Sequence, residues 1–330
     1  MQLPPRLGWY AAHLLVVAAC YYVGARLGLL QALVNDQVTP LWPPTGVAVL
    51  ALVLGGLRMW PGIAVGAFVV NATLGELGTT VLIGAGNTLA PVAAYLLLRR
   101  VGFRAELDRT RDALALVFVG AFAGMAVSAT VGSGALLATG AITRGDFWST
   151  WTVWWTGDAL GVLVFVPLVL ALRTLRRRPR PTRRWLEAAA LVGSTAVVMA
   201  VATTHDLRLM YLVFPFLIWA ALRFQHAGTA PCALIAATLA ARGAAMASGP
   251  FAGLDLVVRM VTLQAFNGTV VLTALLLSAA IAERNAARAA IERTVAQLAD
   301  VVSQYQPLLL GEGAGLPLKP PEERGKSEER

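Results

Sequence analysis

A carboxylate inside an apolar run is the residue in this sequence best placed to do chemistry. Asp158 sits in Trp151-Thr152-Val153-Trp154-Trp155-Thr156-Gly157-Asp158-Ala159-Leu160-Gly161, well inside a hydrophobic stretch over 148–172. An ionisable group at the middle of a bilayer costs at least about 2.5–3.5 kcal/mol to insert, so it has to be protonated, paired or hydrated. Trp151, Trp154, Asp158, Gly161 and Phe165 fall on one face by their 3–4 spacing. Two readings follow. One is a ligand-binding or proton-linked carboxylate walled by Trp154 and Trp155; the other is a packing aspartate hydrogen-bonded to a neighbouring helix.

Other polar groups map to comparable depth: Asn71, Glu76, Asn87, Arg242, Arg259, Gln264 and Asn267. Asn87 is expected as a neutral hydrogen-bonding partner of Asp158. Arg242 and Arg259 are expected to compensate the charges of Asp158 and Glu76, since an unpaired charge there is expensive. The set reads either as a structural ion-pair network or as a pocket for a small polar or anionic ligand.

Catalytic patterns are poor. The three histidines (His13, His205 and His226) lie on different segments, and no His-x-x-x-His or Cys-x-x-Cys spacing offers a metal site. Gly132-Ser133-Gly134 has no histidine at matching depth to activate its serine, and packing explains its small residues better. No enzyme activity, metal or cofactor is expected.

The elements that must hold these residues are membrane helices. The 330 residues are 57% hydrophobic and only 14% charged, with mean hydropathy +0.67. Soluble domains carry about 25% charged residues, so this chain lacks the polar groups to cover a water-facing surface. A disulfide scaffold is excluded by two cysteines that both lie in apolar runs. Apolar stretches occur at 8–30, 45–57, 61–75, 79–98, 113–138, 148–172, 185–203, 209–224, 229–247 and 256–282. The second and third are short for a core of about 30 Å and read as tilted or re-entrant, so eight to ten spans are expected. The fold class is an all-α polytopic bundle.

The net charge of +9 reports topology rather than nucleic-acid binding. The membrane part carries its positive charge as arginine, both lysines (Lys319 and Lys326) being in the tail. Placing the N-terminus inside puts fifteen of those arginines on the cytoplasmic side and five (Arg26, Arg144, Arg208, Arg242 and Arg259) on or near the other. The expected topology is therefore that of a multi-pass membrane protein with both termini cytoplasmic. Val17-Ala18-Ala19-Cys20 resembles a lipoprotein cleavage site, but the apolar run continues through Leu30 as a helix. Glycine pairs four apart (Gly24/Gly28, Gly62/Gly66, Gly120/Gly124 and Gly157/Gly161) favour close helix packing inside the bundle over homodimerisation.

After residue 282 the composition changes. Residues 283–306 form a cytoplasmic helix or short coiled coil, with Ile291, Val295, Leu298, Val302 and Tyr305 in a 4-3-4-3 seam that could serve a homodimer. Residues 307–330, rich in Gly, Pro, Glu and Lys, are expected to be disordered.

Between the first two spans, Thr39-Pro40-Leu41-Trp42-Pro43-Pro44-Thr45-Gly46 interrupts helix formation. Irregular backbone at membrane depth is tolerated only where protein buries it or it lines water. Trp60-Pro61-Gly62 follows, with Pro61 suited to a first helical turn. These strings, with Gly66, Asn71, Gly86-Asn87-Thr88-Leu89, the Trp154–Gly161 run, Pro167, Phe214–Phe224 and Gly249-Pro250-Phe251, resemble the MASE1 domain, a bacterial integral-membrane sensory domain. The likeness runs over about residues 9–285 in five ordered motifs.

The resemblance implies a sensory module over 1–282, of a kind usually joined to a histidine kinase, a diguanylate cyclase or phosphodiesterase, or PAS domains. No Gly-Gly-Asp-Glu-Phe string, kinase histidine box or ATP-binding glycine motif follows. The expectation is a stand-alone sensor that acts on a separate cytoplasmic kinase or cyclase, or on a membrane partner. The alternative is a transporter or its substrate-binding subunit, although no inverted repeat relates the halves.

Overall fold

The computed structural model describes residues 5–30, 32, 38–177, 182–205 and 209–309. Arg208 and the tail residues 310–330 lie outside them, as does most of the 178–184 arginine loop. The chain divides into two compact units, Met1–Glu283 and Arg284–Arg330.

Among the described residues the first unit is all helical. The elements are α1 (Pro5–Leu29), α2 (Pro43–Gly55), α3 (Trp60–Asn71), α4 (Leu77–Arg100), α5 (Thr110–Leu114), α6 (Gly124–Ala138), α7 (Phe147–Arg177), α8 (Thr182–Thr204), α9 (Val213–Phe224), α10 (His226–Ala245) and α11 (Leu256–Leu309). A π-helical stretch, Ala115–Ala123, joins α5 to α6, so Thr110–Ala138 is one rod. Among the described residues six helices are long and apolar enough to cross a membrane: those over Gly8–Leu29, Leu77–Arg100, Thr110–Ala138, Phe147–Arg173, Arg184–Thr204 and Leu256–Val302. The rods over Pro43–Gly55 and Met210–Phe224 are apolar but shorter. Every apolar stretch read from the sequence is therefore a helix.

Burial follows from packing between helices. One core joins α4, α6, α7, α10 and α11 around residues such as Leu98, Leu116, Leu160, Leu163 and Leu263. A smaller one joins α1, α2 and α3 around Tyr21, Leu52 and Ile63. The outside of the bundle is apolar too: Leu15, Val23, Val81, Leu89, Val197 and Leu222 are exposed. So extensive an apolar exterior suits lipid rather than water.

The interrupted stretch before α2 is positioned by α7. Trp42 N–H donates to the Gly157 carbonyl at 3.0 Å. The Thr39 carbonyl presses on Gly157 and the Trp42 carbonyl on Gly161, both so close that a Cβ at either glycine would overlap a backbone oxygen. Gly46 meets the Gly161 carbonyl from the other side. Thr45 Oγ1 lies 2.7 Å from the Trp42 carbonyl and 3.1 Å from the Asp158 carbonyl, stitching the start of α2 to α7. Pro43 and Pro44 open α2, where no intrahelical donor is lost. The glycine pairs thus seat backbone inside the bundle. Gly62 packs on Leu14 of α1, and Gly124 on Ala94 of α4.

At the end of the bundle that carries the loop 101–109, three segments converge. Nε2 of His226 donates to the Leu107 carbonyl at 2.8 Å, and the Thr110 N–H donates to Glu283 Oε1 at 2.9 Å. The Glu283 carboxylate so placed complements the positive end of the helix starting at Thr110.

The second unit is the helical continuation within α11, whose side chains at Ile291, Val295, Leu298 and Val302 are exposed.

Candidate functional site

Asp158 is fully buried in α7. Its Oδ2 accepts a hydrogen bond from Ser128 Oγ on α6, while Oδ1 has no hydrogen-bond partner. An ionised carboxylate has room for about four donors, so this group is under-satisfied. It borders a small cavity of about 20 Å³, room for one water-sized occupant.

The cavity is lined by Val38, Thr39, Trp42, Asn71, Leu74, Asn87, Trp154 and Asp158. Each element delivers its residue for a local reason. The extended segment before α2, held on Gly157 and Gly161, brings in Thr39 and Trp42. Asn71 closes α3, its Nδ2 donating to the Ala67 carbonyl at 2.8 Å and its own carbonyl receiving Thr80 Oγ1 at 3.1 Å. Asn87 lies inside α4, only 2% exposed, and its Oδ1 has no partner. Trp154 takes its position because Gly132 leaves no side chain where its ring sits. Tyr21 of α1 is also fully buried, with its hydroxyl close to Trp42 and Asn87.

Of the residues singled out from the sequence, the fold brings together Asp158, Trp154 and Asn87, with Trp42 from the proline-rich string. Trp155 faces elsewhere. Its indole stacks on Trp151 with centroids 5.7 Å apart, abuts Phe122, and donates Nε1–H to the Phe122 carbonyl at 2.9 Å. Trp151 is on that side as well, bonded to Thr130 at 3.1 Å. The π-helical stretch ends at Ala123, beside the Phe122 carbonyl that receives Trp155.

The expected ion pairs do not form. Among the described residues, the salt bridges join Arg104, Arg109 and Arg223 to neighbouring carboxylates, none of them Asp158 or Glu76. Glu76 is exposed just before α4, and Arg242 is exposed in the last turn of α10. Arg259 is partly buried and its Nε lacks a partner. Gln264 and Asn267, buried on α11 with unpartnered amides, do not line this cavity. Pro43, Pro44 and Gly46 shape the approach of α2 to α7, while Trp60, Pro61 and Gly62 open α3, away from the cavity lining.

Sequence reasoning missed Ser128 and Tyr21. Ser128 carried a faint signal, because Gly120, Gly124, Ser128 and Gly132 form a stripe of small residues four apart. Tyr21 carried none, being one aromatic among many in an apolar helix.

A second buried carboxylate, Asp112, sits at the start of the Thr110–Ala138 rod that also carries Ser128. Arg109 grips it through Nε (2.9 Å) and Nη2 (2.8 Å), and the Arg104 N–H adds a third bond at 3.0 Å. Those bonds from Asp112 hold the Arg109 guanidinium above its already high ordinary pKa.

Among the described residues no group of His, Cys, Asp or Glu could hold a metal ion by clustering. Chemically, the Asp158 site can accept hydrogen bonds or a positive charge.

Comparison with known proteins identifies the family. The sequence profile named MASE1 matches residues 13–285. A probable diguanylate cyclase, DgcE of Escherichia coli (strain K12), is 25% identical over 232 residues, or 65% of this chain. The match covers 20% of that relative, so the chain spans about a fifth of its length. No solved structure matches the chain. With a match running through every element that builds the cavity, from α1 to Glu283, this chain belongs to the MASE1 family of membrane sensory domains.

Proposed function

We propose that the chain is the sensing component of a bacterial signalling system. It crosses the inner membrane eight to ten times with both termini in the cytoplasm, and it acts without catalysis of its own on a separate cytoplasmic protein of the cyclase or kinase type. Residues 283–306 are the contact with that protein. The cue is read at Asp158. The observation that carries this reading is that Asp158, fully buried and with Oδ1 lacking a hydrogen-bond partner among the described residues, lines one cavity together with Asn87, whose Oδ1 is likewise unpartnered. Fold stability alone favours satisfying such groups, each costing about 1–3 kcal/mol when left unpaired, so their retention points to function.

A cyclase is the first partner class to test, since the relative matched over the membrane region is named as a probable diguanylate cyclase. The experiment replaces the chromosomal copy with Asp158→Asn and measures both the cellular cyclic diguanylate pool and the proteins that co-purify in mild detergent. The expected result is an altered pool, an unchanged amount of protein in the membrane, and recovery of a cyclase or kinase. Co-purification of an ATPase or a solute permease, with solute uptake changed and the pool constant, would establish the transport alternative instead.

A further inference from the structure

We infer that the Asp158 cavity binds a compact monovalent cation, of the class of sodium, potassium or ammonium, and that this cation is the cue. The inference rests on the reading of Asp158 as the sensing residue and deepens it.

Three observations select this class of ligand. The first is the sign of the unmet demand. Two of the residues that line the cavity, Asp158 and Asn87, carry an acceptor Oδ1 with no hydrogen-bond partner among the described residues, and the Tyr21 hydroxyl is close to Asn87. The second is charge. No basic residue is among the eight that line the cavity, Arg242 is exposed, and among the described residues no salt bridge reaches Asp158. A water molecule would satisfy both oxygens by donating to them, yet it would leave the carboxylate's charge uncompensated within an apolar bundle. A cation answers both demands at once, taking the place of the proton that otherwise neutralises the group.

The third observation is size and ligand chemistry. A volume of about 20 Å³ has room for one small ion. Carboxylate, amide carbonyl and hydroxyl oxygens are hard donors, suited to alkali cations. One carboxylate balances one positive charge, whereas calcium takes six to eight oxygens and magnesium a near-octahedral set. The interrupted backbone of 38–42 beside the cavity is likewise the sort of element at which membrane proteins hold small cations.

The test uses the purified full chain in nanodiscs. Its melting is followed by tryptophan fluorescence while sodium, potassium or ammonium chloride replaces choline chloride at constant total chloride. The expected result is a saturable rise in melting temperature with at least one of the three compact cations relative to choline. That rise is absent in Asp158→Asn, and its midpoint lies about tenfold higher in concentration for Asn87→Ala. Should Asp158→Asn fail to fold, the Asn87→Ala midpoint carries the test, and an unchanged midpoint overturns the inference. Equal melting in all four salts for the wild type overturns it as well. In that event, loss of signalling in Asp158→Asn still upholds the sensing reading with another occupant, whereas normal signalling in Asp158→Asn removes that reading together with the cation.

Discussion

Asp112 and Asp158 are both completely buried, on neighbouring helices of one bundle, and their surroundings differ in every respect that matters to a carboxylate. Asp112 takes three hydrogen bonds, two from the Arg109 guanidinium and one from the Arg104 backbone, and none of its oxygens is left over. Asp158 has a hydrogen bond from Ser128 on one oxygen, no basic residue paired with it among the described residues, and a cavity that it lines. The first arrangement fastens the loop 101–109 to the end of the bundle. The second leaves the Asp158 carboxylate without a paired cation among the described residues. Burial of a charged residue is therefore not itself the mark of function; the residue's unfilled valence is.

Asp112→Ala should produce the largest loss of stability. It strands the Arg104 N–H and the guanidinium of Arg109, a loss of about 2–3 kcal/mol. The figure sits at the low end for a broken buried pair because Arg109 is 36% exposed and can rehydrate. Thermal unfolding in detergent should show it, with the signalling output normal for the protein that remains folded. An Asp112→Ala variant that melts like the wild type would erase the contrast.

Gly161→Ala comes next. Its methyl group would meet the Trp42 carbonyl and Thr45 Oγ1, so the segment that carries Trp42 must move. Overpacking of this kind costs about 1–3 kcal/mol, and because the displaced segment lines the cavity, signalling should fall together with melting temperature. This separates Gly161 from Asp112, whose loss should affect stability alone.

Ser128→Ala should have the smallest effect on stability and sharpens the contrast most. Removing a hydrogen bond to a charged group costs about 1.5–3 kcal/mol when the charge has no alternative. Asp158 has one, since the cavity admits a small occupant, so about 1–2 kcal/mol is expected. In a double-mutant cycle with Asp158→Leu the Ser128→Ala cost should nearly vanish. An undiminished cost in the Asp158→Leu background would show that Ser128 acts on something other than the carboxylate.

Much of this was legible in the amino-acid sequence because membrane burial imposes simple rules. Apolar runs such as 79–98 and 148–172 became α4 and α7 with ends shifted by a few residues, capping and arginine-rich turns being looser signals than hydrophobicity. Asp158 and Asn87 stood out because polar groups are rare inside such runs, and the fold does place them at one cavity. Trp155 illustrates where periodicity stops helping. Adjacent residues on a helix point about 100° apart, so Trp154 and Trp155 cannot both wall one pocket, and the sequence does not say which face packs on Phe122. The arginine partners failed for a related reason. Matching depth along separate helices says nothing about rotation or neighbourhood, and Arg242 proved to be exposed at a helix end. Asp112 went unnoticed because its Arg109 neighbour looked like one more topology-marking arginine, when the two are three residues apart and paired.

The most direct measurement compares Asp158→Asn with Asp112→Asn in parallel, recording melting temperature and the cyclic diguanylate output of the same cells. Asp158→Asn keeps the volume and an acceptor for Ser128 while removing a poorly solvated charge. Its melting temperature should therefore equal or exceed that of the wild type, within about 1 kcal/mol of stability, while its output is lost. Asp112→Asn should melt lower and retain its output. The account is contradicted if Asp158→Asn signals normally and loses stability as Asp112→Asn does, because the two buried carboxylates would then both be structural.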